Sequence, residues 1–280
     1  ALTMISSVIL VVGGLLAARP MLTALNTPEE IFSDAYVYMT IVFVGSAGNL
    51  IYNVGSGVLR GMGDSTWPFI FLLCCALLNL VLDLLSVTVF DFGVAGVAAA
   101  TAIAQMVSGL GIAIRLNKSN YGAKVRFAHP RIVRAEATLL AAIALPAAVQ
   151  NVGNTLAALF MQSYVNFFGA NFAAANNIVT KVSAFADIPI VAVSSAICTF
   201  VGQNIGKGDL KRVHKGITGS ILLLIGVGVA ICAGLQLLKG VIPLAFTDEE
   251  EIIFYAACGI GVIAWVSTFN GVDRVLLNAM

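Results

Sequence analysis

Eight long apolar stretches constrain what this chain can fold into. They lie near 4–24, 32–58, 68–90, 94–115, 138–166, 172–200, 217–239 and 252–278. Each is long enough to cross a bilayer as a helix, which takes about 20 residues. The stretches are continuously apolar rather than alternating, which excludes a transmembrane β-barrel. Only 10% of the residues are charged, too few to cover a water-facing surface, so the sequence predicts an all-α polytopic membrane protein.

The charged residues between the spans predict the orientation of the chain. Two loops, 115–134 and 202–216, are rich in Lys and Arg, whereas the loops on the other side carry Asp and Glu. Two spans separate the basic loops, so both lie on one side, which the positive-inside rule makes cytoplasmic. We therefore expect a multi-pass protein of the cell membrane with both chain ends cytoplasmic. The net charge of +1 argues against a nucleic-acid partner.

The chain also contains an internal repeat. Residues 24–31 resemble residues 245–252, and residues 57–62 align weakly with residues 275–280. Six spans separate the equivalents, an even number, so the repeats point the same way. This predicts parallel repeats about an axis along the membrane normal, as in some secondary transporters. We expect eight helices of twelve in two six-helix lobes, with two helices missing at each end: a partial amino-terminal lobe (1–115), a cytoplasmic linker (116–136) and a partial carboxy-terminal lobe (137–280).

The most informative carboxylate inside an apolar span is that of Asp83. Asp83 falls within the stretch 68–90, and Asn79 precedes it by one helical turn. An ionisable side chain at membrane depth is costly and by default indicates function. The alternative interpretation is a structural aspartate that hydrogen-bonds to its neighbours.

The next span supplies further oxygen atoms at the predicted depth of this carboxylate. If the chain turns back near Phe92, Asp83 lies level with Thr101, about 11 Å below the outer turn. Asn79 then lies level with Gln105. Carboxylate, amide and hydroxyl oxygens suit a hard cation. The sequence therefore predicts a cation-coupling site of these four residues. Its metal ligands for Na⁺ would be Asp83, Asn79 and Thr101, and the same carboxylate could carry a proton.

Other polar residues in the spans have two interpretations. They can form ordinary hydrogen bonds between helices, or they can line a central substrate cavity. Lys181 can line this cavity or pair with Asp187. The candidate cavity residues are Asn49, Asn53, Gln150, Asn154, Asn177 and Lys181.

Four short motifs together resemble the MATE (multidrug and toxic compound extrusion) family. They lie at Gly57–Asp64, Gly93–Thr101, Leu145–Gln150 and Val201–Asp209. The resemblance implies that the spans are the third to tenth helices of a twelve-helix exporter driven by Na⁺ or H⁺ entry. It also implies a small organic substrate that is cationic or amphipathic.

The resemblance extends to the ion-coupling residues. One family branch couples ions at the positions of Asn79, Asp83 and Thr101, together with an aspartate on its first helix. Another branch uses a glutamate on the seventh family helix, where this chain has Asn154, and a carboxylate on the tenth, near Thr268. Because neither residue here is charged, we expect coupling through Asp83.

Soluble-enzyme motifs are incomplete in this sequence. The segment Gly202–Lys207 resembles a phosphate-binding loop but lacks its first Gly and its final Ser or Thr. We expect no enzyme activity and no cofactor apart from Na⁺ or H⁺ as coupling ion. The expected partners are the bilayer and the substrate, with the protein a monomer.

Two alternative functions remain at this point. A lipid-linked oligosaccharide flippase would need a strongly cationic cavity, for which the spans offer only Lys181 as a well-buried cation, with Arg274 near an inner end. A passive channel or a membrane receptor would need no coupling ion.

Overall fold

A computed structural model describes residues 2–25, 27–118 and 134–279, and it confirms the eight predicted spans. The described residues form α1 (Leu2–Ala24), α2 (Glu29–Gly61), α3 (Thr66–Thr88), α4 (Gly93–Lys118), α5 (Arg134–Phe167), α6 (Ala170–Gly206), α7 (Leu210–Leu238) and α8 (Glu250–Ala279). Several helices extend beyond the predicted apolar stretches. Hydropathy marks only the part of a helix in hydrocarbon, whereas backbone hydrogen bonding continues into the polar segments.

The chain forms two compact units, residues 1–141 (unit 1) and 142–280 (unit 2), and the division falls within α5. The predicted linker 116–136 lies largely on residues 119–133, outside the described residues. The predicted lobe boundaries therefore stay a prediction.

In unit 1, α2 and α4 touch backbone to backbone. A Cβ atom at Gly48 would lie 2.6 Å from the carbonyl oxygen of Gln105, and one at Gly109 would lie 2.5 Å from the carbonyl oxygen of Gly48. One at Gly45 would lie 2.6 Å from the Cα of Ala102. Small residues allow such close approach between membrane helices. This contact fixes α4, which carries Thr101 and Gln105.

The turn between α2 and α3 is tied to the end of α4. Asp64, with a side chain only 8% exposed, accepts a bond from Arg115 Nη2 at 3.2 Å. The guanidinium of Arg115 also lies 4.7 Å from the centre of the Trp67 ring. This charged contact joins the two ends of the α3–α4 hairpin that lie far from Asp83.

The same turn design occurs in each unit. Gly63 (φ 92°) and Gly208 (φ 75°) both adopt the left-handed conformation that favours glycine, just after a long helix. The following residues, Asp64 and Asp209, each accept a bond from the backbone amide three positions later, at 3.3 and 3.0 Å. Asp209 is the N-cap residue of α7, and Asp64, one position before the N-cap of α3, bonds to the first turn of that helix, which explains the Gly-x-Gly-Asp sequence in two of the four motifs.

In unit 2, α8 packs against both α6 and α7. Two buried clusters hold these helices together, and a 3-10 helix, Ile242–Ala245, follows α7. The first cluster is Ala175, Ile178, Val182, Ile252, Ala256 and Ile260, and the second is Ile190, Ile197, Val201, Leu224 and Val275. Asp187 lies between the α6 residues of the two clusters, close to the middle of that helix.

Candidate functional site

Asp83 lies on α3 about a turn and a half before the helix ends at Thr88. Its side chain is partly buried, and its Oδ1 atom is inaccessible to solvent without a hydrogen-bond partner among the described residues. A buried carboxylate oxygen without a partner is costly, because nothing replaces the water it has lost. This oxygen is therefore suited to receive a cation or a proton.

The structure shifts the register of the α3–α4 hairpin from the predicted one by two to four residues, which is about half a turn to one turn. Asn79 Nδ2 donates to Thr101 Oγ1 at 3.2 Å rather than lying level with Gln105. Closer to the turn, a Cβ atom at Gly96 would lie 2.8 Å from the Cβ of Ser86. The shift arises because α3 ends at Thr88 and α4 begins at Gly93, so the centre of the turn precedes the predicted position near residue 92.

The turn reverses the chain through two residues with positive φ, Asp91 (51°) and Gly93 (55°). The backbone amide of Phe92 donates to the carbonyl oxygen of Ser86 at 3.0 Å. Aspartate and glycine both tolerate this left-handed conformation. The short connection places Asn79 against Thr101, one helical turn from Asp83.

Gln105 contributes to a different contact from the one predicted. Its Oε1 atom lies 3.3 Å from the position that a Cβ atom on Gly45 would occupy, so the carboxamide lies beside α2. Its backbone carbonyl accepts a bond from Ser108 Oγ at 3.0 Å. The structure thus brings Asn79 and Thr101 together and leaves Gln105 at the α2 interface.

Asn49 and Asn53 are exposed on α2, and their side chains bond to each other. They lie outside the glycine face that contacts α4. The neighbouring Tyr52 Oη donates to the carbonyl oxygen of Pro68 on α3 at 2.8 Å. The two amides are accessible at membrane depth, as a polar lining requires.

The unit 2 candidates for the cavity are also exposed. Gln150 and Asn154 lie on α5, and Asn177 and Lys181 lie one turn apart on α6. Lys181 does not pair with Asp187, so that alternative is wrong. Its Nζ atom lies 5.7 Å from the centre of the Phe246 ring, a cation–π contact.

Asp187 has a cationic partner that sequence reasoning missed. Its Oδ2 atom accepts a bond from Arg274 Nη2 on α8 at 3.2 Å. Its Oδ1 atom is buried with no partner among the described residues. The sequence did carry a signal, because Arg274 is the only basic residue among the apolar positions of the last span.

A cavity in the described part of unit 1 contains none of the predicted site residues. Its volume is about 920 Å³, and it lies between α1 and α2, where these helices meet. Its lining comprises Arg19, Thr23, Thr27, Pro28, Glu29, Phe32, Ser33 and Tyr36. Asp83 lies outside it, so the cation site rests on oxygen geometry rather than on a cavity.

Comparison with known proteins finds relatives whose names describe multidrug resistance proteins or a transporter. The chain is 28% identical over 264 residues to the "Probable multidrug resistance protein YpnP" of Bacillus subtilis, covering 94% of this chain and 59% of that protein. It is 27% identical over 247 residues to the "FAD transporter" of Shewanella oneidensis, covering 86% of this chain and 54% of that protein. The chain thus spans slightly more than half the length of these relatives.

The fold matches solved transporter structures. The Vibrio cholerae MATE transporter VcmN in its bent form superposes with a TM-score of 0.89 at 18% identity, covering 98% of this chain and 62% of that structure. At this identity the match shows the shared fold alone. The MatE family profile matches residues 1–85 and 146–280, which include Asp83 and Asp187. The chain belongs to the MatE family of transporters.

Proposed function

We propose that this chain forms the third to tenth helices of a twelve-helix exporter that is driven by Na⁺ or H⁺ entry and coupled through Asp83. The observation that carries the proposal is the Oδ1 atom of Asp83, which is buried and unpartnered among the described residues. In unit 1, no Lys or Arg occurs between Thr66 and Ile114 in α3 and α4. A charge at this depth needs compensation, and a mobile cation can supply it.

The neighbouring groups support a small cation. Asn79 donates its amide hydrogen to Thr101, which leaves the amide oxygen of Asn79 available as a ligand. One carboxylate with neutral amide and hydroxyl oxygens provides hard ligands and a single negative charge. This set matches a monovalent ion, and the carboxylate alone matches a proton. Asp83, Asn79 and Thr101 would hold Na⁺, with Gln105 as a more distant neighbour.

Binding would couple to transport through the packing of unit 1. Neutralising Asp83 removes the cost of a buried charge, so it favours a conformation in which the carboxylate is enclosed. The α3–α4 hairpin carries the four residues that this chain contributes to the proposed cation site, and the glycine contact with α2 joins it to the helix that bears Asn49 and Asn53. Cation entry would in this way favour a conformation that releases substrate outward.

The names of the relatives bear on the substrate class. The relatives are described as multidrug resistance proteins and, in one case, as an FAD transporter, so family members handle chemically different molecules. We propose drugs or cationic and amphipathic metabolites as substrates. The exposed polar residues Asn49, Asn53, Gln150, Asn154, Asn177 and Lys181 are the proposed cavity lining.

The flippase alternative receives no support from the site. Arg274, one of the two intramembrane cations it would use, is paired with Asp187, so its charge is already balanced. Only Lys181 is left for a pyrophosphate group. A passive channel or a receptor gives no role to the unpartnered carboxylate of Asp83.

Transport in proteoliposomes tests the proposal. The complete twelve-helix transporter is reconstituted, and uphill movement of a fluorescent cationic dye is measured under separately imposed Na⁺ and H⁺ gradients. We expect one gradient to drive transport and Asp83→Asn to abolish it while membrane insertion is retained. Uphill transport by Asp83→Asn equal to that of the wild type would overturn the proposal.

A further inference from the structure

We propose that Arg274 is a tethered counter-cation for Asp187. Its guanidinium occupies the place that a coupling ion would take at this carboxylate. Unit 2 would then neutralise its own intramembrane carboxylate and take up no mobile cation there. The ion pair between Arg274 and Asp187 is independent of the role of Asp83.

The first observation is the geometry of the pair. Arg274 Nη2 lies 3.2 Å from Asp187 Oδ2, and the two residues come from different helices, α8 and α6. The Asp187 side chain is 25% exposed, and its Oδ1 atom is buried without a partner among the described residues. Two opposite charges at this separation attract strongly where water is scarce.

The second observation is that few other charges lie near the pair. From the residue after Asp187 to the end of α6, and from residue 216 to residue 238 of α7, the sequence has no Asp, Glu, Lys or Arg. On α8, Asp273 is exposed beside Arg274, and the residues from Ile252 to Val272 are uncharged. Lys181, the nearest cation on α6, lies over the Phe246 ring. Arg274 is therefore the residue that compensates the charge of Asp187.

This arrangement has a chemical consequence. If the guanidinium is removed and the carboxylate retained, Asp187 becomes a buried anion comparable to Asp83. It must then bind a proton or a small cation, or lose stability. The proposal thus predicts that a single substitution at Arg274 creates a cation requirement in unit 2.

The test measures thermal unfolding of the complete transporter in detergent. All variants carry Asp83→Asn, so that any cation effect comes from unit 2, and the failure of this test leaves the role of Asp83 unaffected. We expect Arg274→Gln to gain a rise in Tm of about 2–4 °C on adding saturating Na⁺ or on lowering the pH, since ligand binding stabilises the folded state. A response to Na⁺ at constant pH identifies the metal ion, and a response to pH without Na⁺ identifies the proton.

Three control variants keep the test decisive. Arg274→Lys retains the charge and should show no cation response. Asp187→Asn combined with Arg274→Gln should also show none, because the carboxylate is gone. The charge-swapped variant, Asp187→Arg with Arg274→Asp, should fold and behave as its parent.

If Arg274→Gln unfolds too readily to purify, Arg274→Met is measured in its place, because its apolar chain packs better in the helix interface. The proposal is overturned if neither variant responds to Na⁺ or pH, or if the response persists after Asp187→Asn is added.

Discussion

Two intramembrane carboxylates, Asp83 and Asp187, are compensated in opposite ways. Asp83 in unit 1 has a buried oxygen without a partner among the described residues, and its neighbours are an amide and a hydroxyl. Asp187 in unit 2 is held by Arg274 at 3.2 Å. The same residue type at membrane depth is thus a candidate ion site in one unit and a fixed ion pair in the other. The difference shows that a buried carboxylate must be interpreted together with its cation.

The helix contacts around the two carboxylates also differ. In unit 1, α2 and α4 meet backbone to backbone at Gly48 and Gly109. In unit 2, the α6–α8 contact at Gly259 is made by the side chain of Val179, whose methyl would lie 2.6 Å from an added Cβ. Backbone contacts cannot yield to an added methyl group as readily as a side chain can. We therefore expect the α2–α4 contact in unit 1 to be more rigid than the α6–α8 contact in unit 2.

Neutralising each carboxylate should give the clearest difference in stability between the two units. Asp187→Asn removes the bond from Arg274, whose side chain is 42% exposed, and should lower stability by about 1–3 kcal/mol. Asp83→Asn removes a buried charge that has no fixed partner among the described residues, so in cation-free buffer the variant should be at least as stable as the wild type. Thermal unfolding of the two single variants in the complete transporter measures both values. Equal losses for the two variants would contradict the contrast between the sites.

A second prediction concerns the support beneath the unit 1 site. Gly48→Ala places a methyl group against the backbone of Gln105 and Met106 and should cost about 1–3 kcal/mol. Gly259→Ala meets only the Val179 side chain and should cost less. Gly57→Ala, with no atom within 4 Å of the added Cβ, is the matched neutral control. Thermal unfolding ranks the three, and a Gly48→Ala variant as stable as Gly57→Ala would refute the backbone contact.

A third prediction concerns the bond between Asn79 and Thr101. Hydrogen bonds between membrane helices contribute about 0.6 kcal/mol on average, so Asn79→Ala should weaken cation affinity about threefold from loss of this bond, and more if the amide oxygen is a ligand. Thr101→Ser keeps the hydroxyl and should be nearly neutral, whereas Thr101→Val should not. A double-mutant cycle on the concentration of Na⁺ or H⁺ that half-activates transport measures the coupling. Strict additivity would show that the two side chains act independently.

The smallest expected effect is at Gln105. Because its carboxamide lies beside Gly45 on α2, Gln105→Ala should change the half-activating cation concentration by less than about twofold. The same transport assay provides the value. A loss as large as that of Asn79→Ala would place Gln105 in the cation site after all.

The sequence predicted the eight spans well because long apolar runs have one stable solution in lipid. It also identified Asp83 as unusual, since one charge in an apolar run is visible without a structure. It placed Asn79 and Thr101 less well, because the depth of each residue depended on where the α3–α4 turn was centred. An error of about one turn on α4 paired Asn79 with Gln105 instead of Thr101.

The pairing of Asp187 was not predictable from periodicity. Lys181 is closer in sequence, but it lies near Phe246, whereas Arg274 is 87 positions away. The partner depends on how α6 and α8 cross, and no local pattern encodes that angle. A general rule does follow, because a charge within one span predicts an opposite charge on another span or a bound ion.

Direct measurement of cation binding distinguishes Asp83 from Asp187 as the site of the mobile cation. Equilibrium binding of radioactive sodium and proton release on sodium addition are measured for the complete transporter and for the Asp83→Asn and Asp187→Asn variants. We predict that Asp83→Asn weakens binding by about a thousandfold, the equivalent of the ~4 kcal/mol that a charge pair at about 4 Å contributes at an effective dielectric constant of about 20. Asp187→Asn should retain binding. Wild-type binding by Asp83→Asn, or its loss in a folded Asp187→Asn variant, would contradict the assignment of the mobile cation to Asp83.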